Sequence, residues 1–174
     1  AIFKLGGAVI PAFRVDSATE ATQIAKYLKA NNFNDALIVA KDGSLIVKAH
    51  ATHKLTKCVY DATDSGITDL ATLRKNTNLY DCRICLLPSS LATQKNTAYL
   101  AGLATTVWYK SSNDSKADLY KLITAGAHGI VTSNVARLES CMENKTVFAS
   151  NSLVRPVNII GHRGIPHLAP ENTI

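Results

Sequence analysis

The sequence predicts an α/β fold whose strands run parallel in one sheet. Three observations lead there. Short apolar runs alternate with amphipathic helical stretches in units of about 20 to 30 residues. No hairpin turn signal joins one apolar run to the next, so each pair of strands needs a helical crossover. Polar and charged residues gather where the apolar runs end, the place where an α/β protein keeps its helix caps and its ligand-facing loops.

The elements follow in order. Ala8 to Val15 is a strand candidate, and Pro11 moves the strand proper to about Ala12. Asp16-Ser17 caps a helix from Ala18 to Ala30, with Ala21, Ile24, Ala25 and Leu28 on one face and Asn31-Asn32 as its stop. Ala36 to Ala40 is the second strand. Asp42-Gly43-Ser44 opens a helix from about Ser44 to His53, with Leu45, Ile46 and Ala49 apolar. Lys57 to Tyr60 is the third strand, ending at Asp61. Thr68 is the expected cap of a helix from Asp69 to Asn76. Cys82 to Leu87 forms the fourth strand, closed by Pro88. Ser90 or Thr93 starts a helix to about Leu103. Thr105 to Lys110 is the fifth strand, Ser111 to Ser115 a polar loop, and Lys116 to Ala127 a helix that closes through Gly126. Ile130 to Thr132 is the sixth strand and Val135 to Met142 a short helix. Glu143 to Arg155 has no period and reads as a connector. Val157 to Ile160 is a seventh strand.

Two architectures satisfy this pattern. One is an open doubly wound sheet. The other is part of a (β/α)8 barrel, whose usual length is about 250 residues. Neither G-x-G-x-x-G nor G-x-x-x-x-G-K-[ST] occurs, which counts against nucleotide-binding versions of the open sheet.

Composition bounds the function. The 174 residues are 47% hydrophobic and 18% charged, which is globular composition. The formal charge is +6, but Lys and Arg are scattered with no basic block, so no nucleic-acid partner is expected. No apolar run reaches the roughly eighteen residues of a membrane-spanning helix. A chain that begins at Ala1 without a charged-then-apolar leader is expected of a processed form or an excised segment. Cys82 and Cys85 form a C-x-x-C, but no second ligand pair lies near it. In an extended strand the two thiols would face opposite sides, so buried inert thiols are expected.

The strand ends offer Arg14 and Asp16, Lys41 and Asp42, Asp61 and Asp64, Ser89 and Ser90, Lys110, Ser133 and Asn134, and finally His162 and Arg163. No Glu or His stands among the first six strand ends. His50, His53 and His128 fall on a helix or in a turn, as surface or helix-end residues. Asp61 and Asp64 are expected to cap the turn and helix that follow them. The last strand end differs. Gly161 and Gly164 flank His162-Arg163, so a ligand can approach closely, and Pro166 and Pro170 stiffen the path to Glu171. An imidazole, a guanidinium and a carboxylate within ten residues can move protons, grip phosphate and hold a hard cation.

His162-Arg163-Gly164 followed by Pro170-Glu171-Asn172-Thr173 resembles the opening motif of the glycerophosphodiester phosphodiesterase family, a branch of the phosphatidylinositol-specific phospholipase C-like barrels. The resemblance implies that His162 is one of two catalytic histidines, Arg163 binds the phosphodiester, Glu171 is a ligand of a divalent cation (calcium or magnesium), and Asn172 supports the site. It also calls for a Glu-x-Asp pair, a second His and a further Glu, all expected beyond Ile174. Upstream, Thr105 to Lys110 resembles the family's penultimate strand. Ala125 to Ser133 resembles its last, with His128 and Ser133 in place of two Asp residues. Ala36 to Asp61 resembles its middle strands. On that alignment Ile10 to Val15 is the fourth strand, where the family's later metal-binding Glu is absent from Ala12, Phe13, Arg14 and Val15.

The resemblance thus selects the barrel: an α/β, partial (β/α)8 (TIM-type) barrel with parallel strands, incomplete in this chain. Residues 1–142 are expected to be a degenerate phosphodiesterase-like βα domain. Residues 143–156 are the connector, and 157–174 the first strand and loop of a catalytic domain. The parent protein is expected to be a metal-dependent hydrolase of glycerophosphodiesters, outside the cell or in its envelope. The segment itself is expected to be inactive and to bind no cation. A non-catalytic module for lipid headgroups, the envelope or a partner chain is the alternative. Exposed barrel edges are expected to pair with a second copy or with the missing part of the barrel.

Overall fold

The computed structural model describes residues 10–143. Six strands and six α-helices alternate along them: β1 (Ala12–Arg14), α1 (Ala18–Ala30), β2 (Leu37–Ala40), α2 (Gly43–Thr52), β3 (Lys57–Asp61), α3 (Leu70–Leu79), β4 (Ile84–Pro88), α4 (Gln94–Ala101), β5 (Thr106–Lys110), α5 (Lys116–Thr124), β6 (Gly129–Val131) and α6 (Val135–Met142). A short 3-10 turn at Ser89–Leu91 precedes α4. The connector beyond Glu143 and the strand expected at Val157 to Ile160 lie outside the described residues.

The strands form one sheet in the order β1-β2-β3-β4-β5-β6, every neighbouring pair parallel. This decides between the two architectures. A doubly wound sheet reverses its strand order at a switch point, whereas a barrel adds each strand beside the last. The order here is sequential throughout, and the sheet curls as an incomplete (β/α) barrel.

Burial on both faces explains the continuous apolar runs. Ile38, Ala40, Cys58, Tyr60, Cys85, Leu87, Val107 and Tyr109 pack with Ala21, Ala25, Leu45, Ile46, Ala49, Leu73, Leu100 and Leu122 of the helices. The residues between them point to the other face. There Leu37, Val39, Val59 and Leu86 form a separate cluster with Ile84 and Trp108. The inner face of the barrel segment is thus a strand-only core, and the outer one is shared with the helices. Tyr109 is fully buried, and its hydroxyl is satisfied at 3.0 Å by Thr97 Oγ1 on α4.

Capping fixes the helix starts. Ser17, Asp42, Asp69, Thr93, Ser115 and Asn134 each accept a backbone N–H of the first turn through their side chains. Asp69, not Thr68, caps α3, accepting from the amides of Ala71 and Thr72. A carboxylate presents two acceptor oxygens where a hydroxyl presents one, and α3 consequently begins a residue later than expected and runs on to Leu79. The fourth strand starts at Ile84, so Cys82 precedes it. Cys82 and Cys85 therefore sit in the same core cluster and not on opposite faces.

Candidate functional site at the carboxyl end of the sheet

The register places the polar strand ends. Arg14 aligns with Val39, and Val39 with Val59, both members of the inner cluster. Asp61 stands two residues beyond Val59 and aligns with Leu86. Lys110 stands two beyond Trp108 and aligns with Pro88. Side chains two apart along a strand share a face. Arg14, Asp61 and Lys110 therefore lie on the inner face at the carboxyl end, where barrels build their sites.

Two ion pairs organise this mouth. An Arg14 guanidinium N–H donates to Asp61 Oδ2 at 2.7 Å, with the Arg14 side chain 50% exposed and that of Asp61 1%. Asp61 also accepts from the Thr63 hydroxyl at 2.6 Å and the Thr63 amide at 3.1 Å, an Asx-type turn. Burial pushes its carboxyl up, but the Thr63 bonds and Arg14 outweigh this and hold it below the usual range. Lys41 Nζ donates to Asp64 at 2.5 Å. That bond lowers the Asp64 carboxyl, assisted by the more distant charge of Lys110, and raises the Lys41 ammonium. Asp61 caps its turn as expected. Asp64 does not: it spans to Lys41, a pairing 23 residues apart that no local pattern reveals.

A second set of bonds ties the next two loops. Asp114 accepts from Thr132 Oγ1 at 2.6 Å, from the Ser133 hydroxyl, and from the Ser133 amide at 3.1 Å, while Arg137 donates to its carbonyl at 2.8 Å. The hydroxyls of Ser133, Thr132 and Ser111 hold the Asp114 carboxyl far below the usual range. Asp118 accepts from the Ser111 hydroxyl and the Ser112 amide; burial raises its carboxyl and these bonds more than reverse that. Asp114, Asp118 and the Lys121–Ser89 bond (2.8 Å) are absent from the strand-end candidates. Their only sequence signal is the Ser/Asn/Asp density between Ser111 and Ser115.

The other candidates serve the scaffold. Asp42 and Asn134 are helix caps. The backbone N–H of Asp16 donates to Glu20 while Ser17 accepts from the Glu20 amide, a reciprocal cap. His53 closes α2 and contacts Asn34 Oδ1 at 3.3 Å. His128 precedes β6, and its Nδ1 accepts the Val107 amide at 3.2 Å, which leaves the ring proton on Nε2. His162, Arg163, Glu171 and Asn172 lie outside the described residues. Among the described residues no group of three or more His, Cys, Asp or Glu is gathered to hold a metal. At the mouth itself, Asp61 and Asp64 are each occupied by a cationic side chain, so this donor set does not fit a divalent cation. Among them, too, no helix is long and apolar enough to cross a membrane.

Fold and mouth together define an incomplete parallel (β/α) barrel whose carboxyl end is lined with paired charges. No family model matches the chain, and no curated protein matches it by sequence. Solved structures do. A protein of Galdieria sulphuraria assigned as a glycerophosphodiester phosphodiesterase superposes with a TM-score of 0.67 at 10% identity, over 76% of this chain and 57% of that one. One from Silicibacter pomeroyi, assigned as a glycerophosphoryl diester phosphodiesterase, gives 0.64 at 13% identity over 76% and 50%. An Oleispira antarctica phosphodiesterase in complex with its product sn-glycerol-3-phosphate gives 0.60 at 11% over 75% and 54%. At these identities the likeness establishes a common fold. The chain spans 50% to 57% of the length of these three relatives.

The sheet order bears on the sequence alignment. Six strands that add in sequence cannot begin on a barrel's fourth strand and also end on its eighth. The inner-facing positions of β2 are Leu37 and Val39, with Lys41 just beyond.

Proposed function

We propose that this chain is part of a glycerophosphodiester phosphodiesterase, whose complete form hydrolyses glycerophosphodiesters to glycerol 3-phosphate and an alcohol. In this reading residues 1–142 are a non-catalytic barrel domain, 143–156 a connector, and 157–174 the start of a catalytic domain. His162 acts as acid or base near neutral pH. Arg163 neutralises phosphate charge with a forked guanidinium. Glu171 offers a hard oxygen donor to calcium or magnesium, with Asn172 beside it. The cation, when bound, supplies charge stabilisation at the phosphoryl oxygens.

One observation carries the reading of the described barrel: its mouth carboxylates, Asp61 and Asp64, are bonded to Arg14 and Lys41 and do not converge on a common centre. Counted back from β6 as the last strand of the barrel, β2 is the fourth, and Val39 and Lys41 then stand where the resemblance calls for a metal-binding Glu. An ammonium there repels a cation.

The test compares the natural full-length protein with residues 1–174, using glycerophosphocholine and added calcium or magnesium. The full-length protein is expected to release glycerol 3-phosphate and to lose this activity on His162→Ala. Residues 1–174 alone are expected to release none. Metal-dependent hydrolysis by the short chain, or an unaffected His162→Ala protein, would overturn the proposal.

A further inference from the structure

A cleft of about 220 Å³ opens between the loops that follow β3, β4 and β5, lined by Thr63, Asp64, Ser89, Lys110 and Ser112 among others. Lys110 is the last residue of β5 and is exposed, and no hydrogen bond or ion pair ties its ammonium to another described residue. The acids nearest the cleft are already matched: Asp64 by Lys41, and Asp61 by Arg14 and Thr63. The acids of the loop after β5 and of the first turn of α5 are also engaged, Asp114 by Thr132 and Ser133 and Asp118 by Ser111 and Ser112. From the far side, Lys121 reaches the carbonyl of Ser89 at 2.8 Å and adds positive charge behind that residue. Each carboxylate has its own donor, and Lys110 acts on Asp64 only as a more distant charge, with its three N–H donors unused among the described residues.

We infer that this cleft is a metal-independent site for a small phosphate-type dianion, anchored by Lys110, with the Ser89 hydroxyl as donor. An ammonium is a compact point charge suited to phosphate without imposing a bidentate geometry. The cleft has room for a tetrahedral oxyanion with a short substituent. The inference rests on the reading of this barrel as non-catalytic and adds a ligand class to it.

The test is calorimetric titration of residues 1–174 in EDTA at low salt, with inorganic phosphate, with sn-glycerol 3-phosphate, and with glycerol as the neutral control. Both phosphates are expected to bind saturably and to weaken with added salt, and glycerol is not. Lys110→Gln is expected to bind about tenfold more weakly, Ser89→Ala less severely, and Lys95→Gln, on the exposed face of α4, like the parent chain. Circular dichroism confirms that each variant keeps its helices. Absence of saturable phosphate binding, or equal affinity in a folded Lys110→Gln chain, overturns the inference. Hydrolysis of glycerophosphocholine that survives His162→Ala in this chain would instead overturn the non-catalytic reading, while leaving the titration result standing.

Discussion

The Arg14 guanidinium at the end of β1 bonds the Asp61 carboxylate at the end of β3, 2.7 Å away, and so bridges over the whole of β2. The two partners are unequal. Asp61 is buried beneath, held additionally by Thr63, and Arg14 reaches over it with half its surface in water. A buried carboxylate that collects several donors is the structural member of such a pair, and the exposed arginine is the replaceable one.

Asp61→Ala is therefore expected to cost about 2 kcal/mol, because the Thr63 amide and hydroxyl lose their acceptor together. Arg14→Ala is expected to cost less, about 1 kcal/mol or below, since a half-exposed pair is screened by solvent. Urea unfolding of both variants measures the ranking. An Arg14 variant less stable than the Asp61 variant would contradict it.

The same pair predicts a pH dependence. The folded-state pKa of Asp61 lies below that of the unfolded chain, so folding favours the ionised form. Its contribution is complete above about pH 4, the ordinary Asp range, and is lost as the pH falls through the depressed folded value. Urea midpoints are expected to drop on acidification below that range. The drop is expected to be shallower in Asp61→Asn, and parallel curves for the two proteins would contradict the assignment.

The thiols give a sharper chemical prediction. Burial pushes both Cys58 and Cys85 up to about 12, with the neighbouring Cys82 adding to it, and Cys141 is also buried. The thiolate is the reactive form, so the folded chain is expected to react slowly with a disulfide reagent at pH 8, and quickly only in denaturant. A rapid stoichiometric burst from native protein would point to a redox or metal role for Cys82 and Cys85.

Much of the fold was legible in the sequence because its signals are local. Ser17 and Asn31 mark the ends of α1, and the bounds of α1 and α6 agree with the spacing of their apolar residues. The βα alternation alone did not separate an open sheet from a barrel; the family resemblance selected the barrel, and the sequential strand order bears it out. The mouth was half legible. Arg14, Lys41, Asp61, Asp64 and Lys110 stand at strand ends by position alone. Which of them neutralise each other depends on contacts across 47 and 23 residues, and these decide which cation remains available. His162 and Glu171 carry the sharpest motif, and that motif rests on residue type and spacing.

Trp108 is the only tryptophan, and it packs on the inner face against Gly129 of β6. A Cβ added at Gly129 would stand 2.7 Å from indole Cδ1 and Nε1. Gly129→Ala is expected to cost about 1 to 3 kcal/mol through overpacking. It is also expected to shift the emission of the lone indole as the ring moves. An unshifted emission spectrum with unchanged stability would mean that the strand relaxes freely.

Among the described glycines, Gly43 has the least room for a side chain, because the Tyr80 ring lies against it. Gly43 is the first residue of α2, and a Cβ there would meet the Tyr80 ring at 2.2 Å. The ring has little freedom to move aside, because it stacks edge-on against Tyr60 with centroids 5.3 Å apart. Gly43→Ala is expected to destabilise the chain by about 1 to 3 kcal/mol, the usual range for a core overpacked by one methyl. Tyr80→Ala is expected to destabilise it too, by loss of the ring contacts. In the double variant the clash has no partner, so the combined cost is expected to fall short of the sum by about 1 kcal/mol or more. A thermodynamic cycle of the four proteins by urea unfolding measures that difference. Strict additivity would show that α2 moves away from Tyr80 as a unit, and that the glycine is not required by the ring.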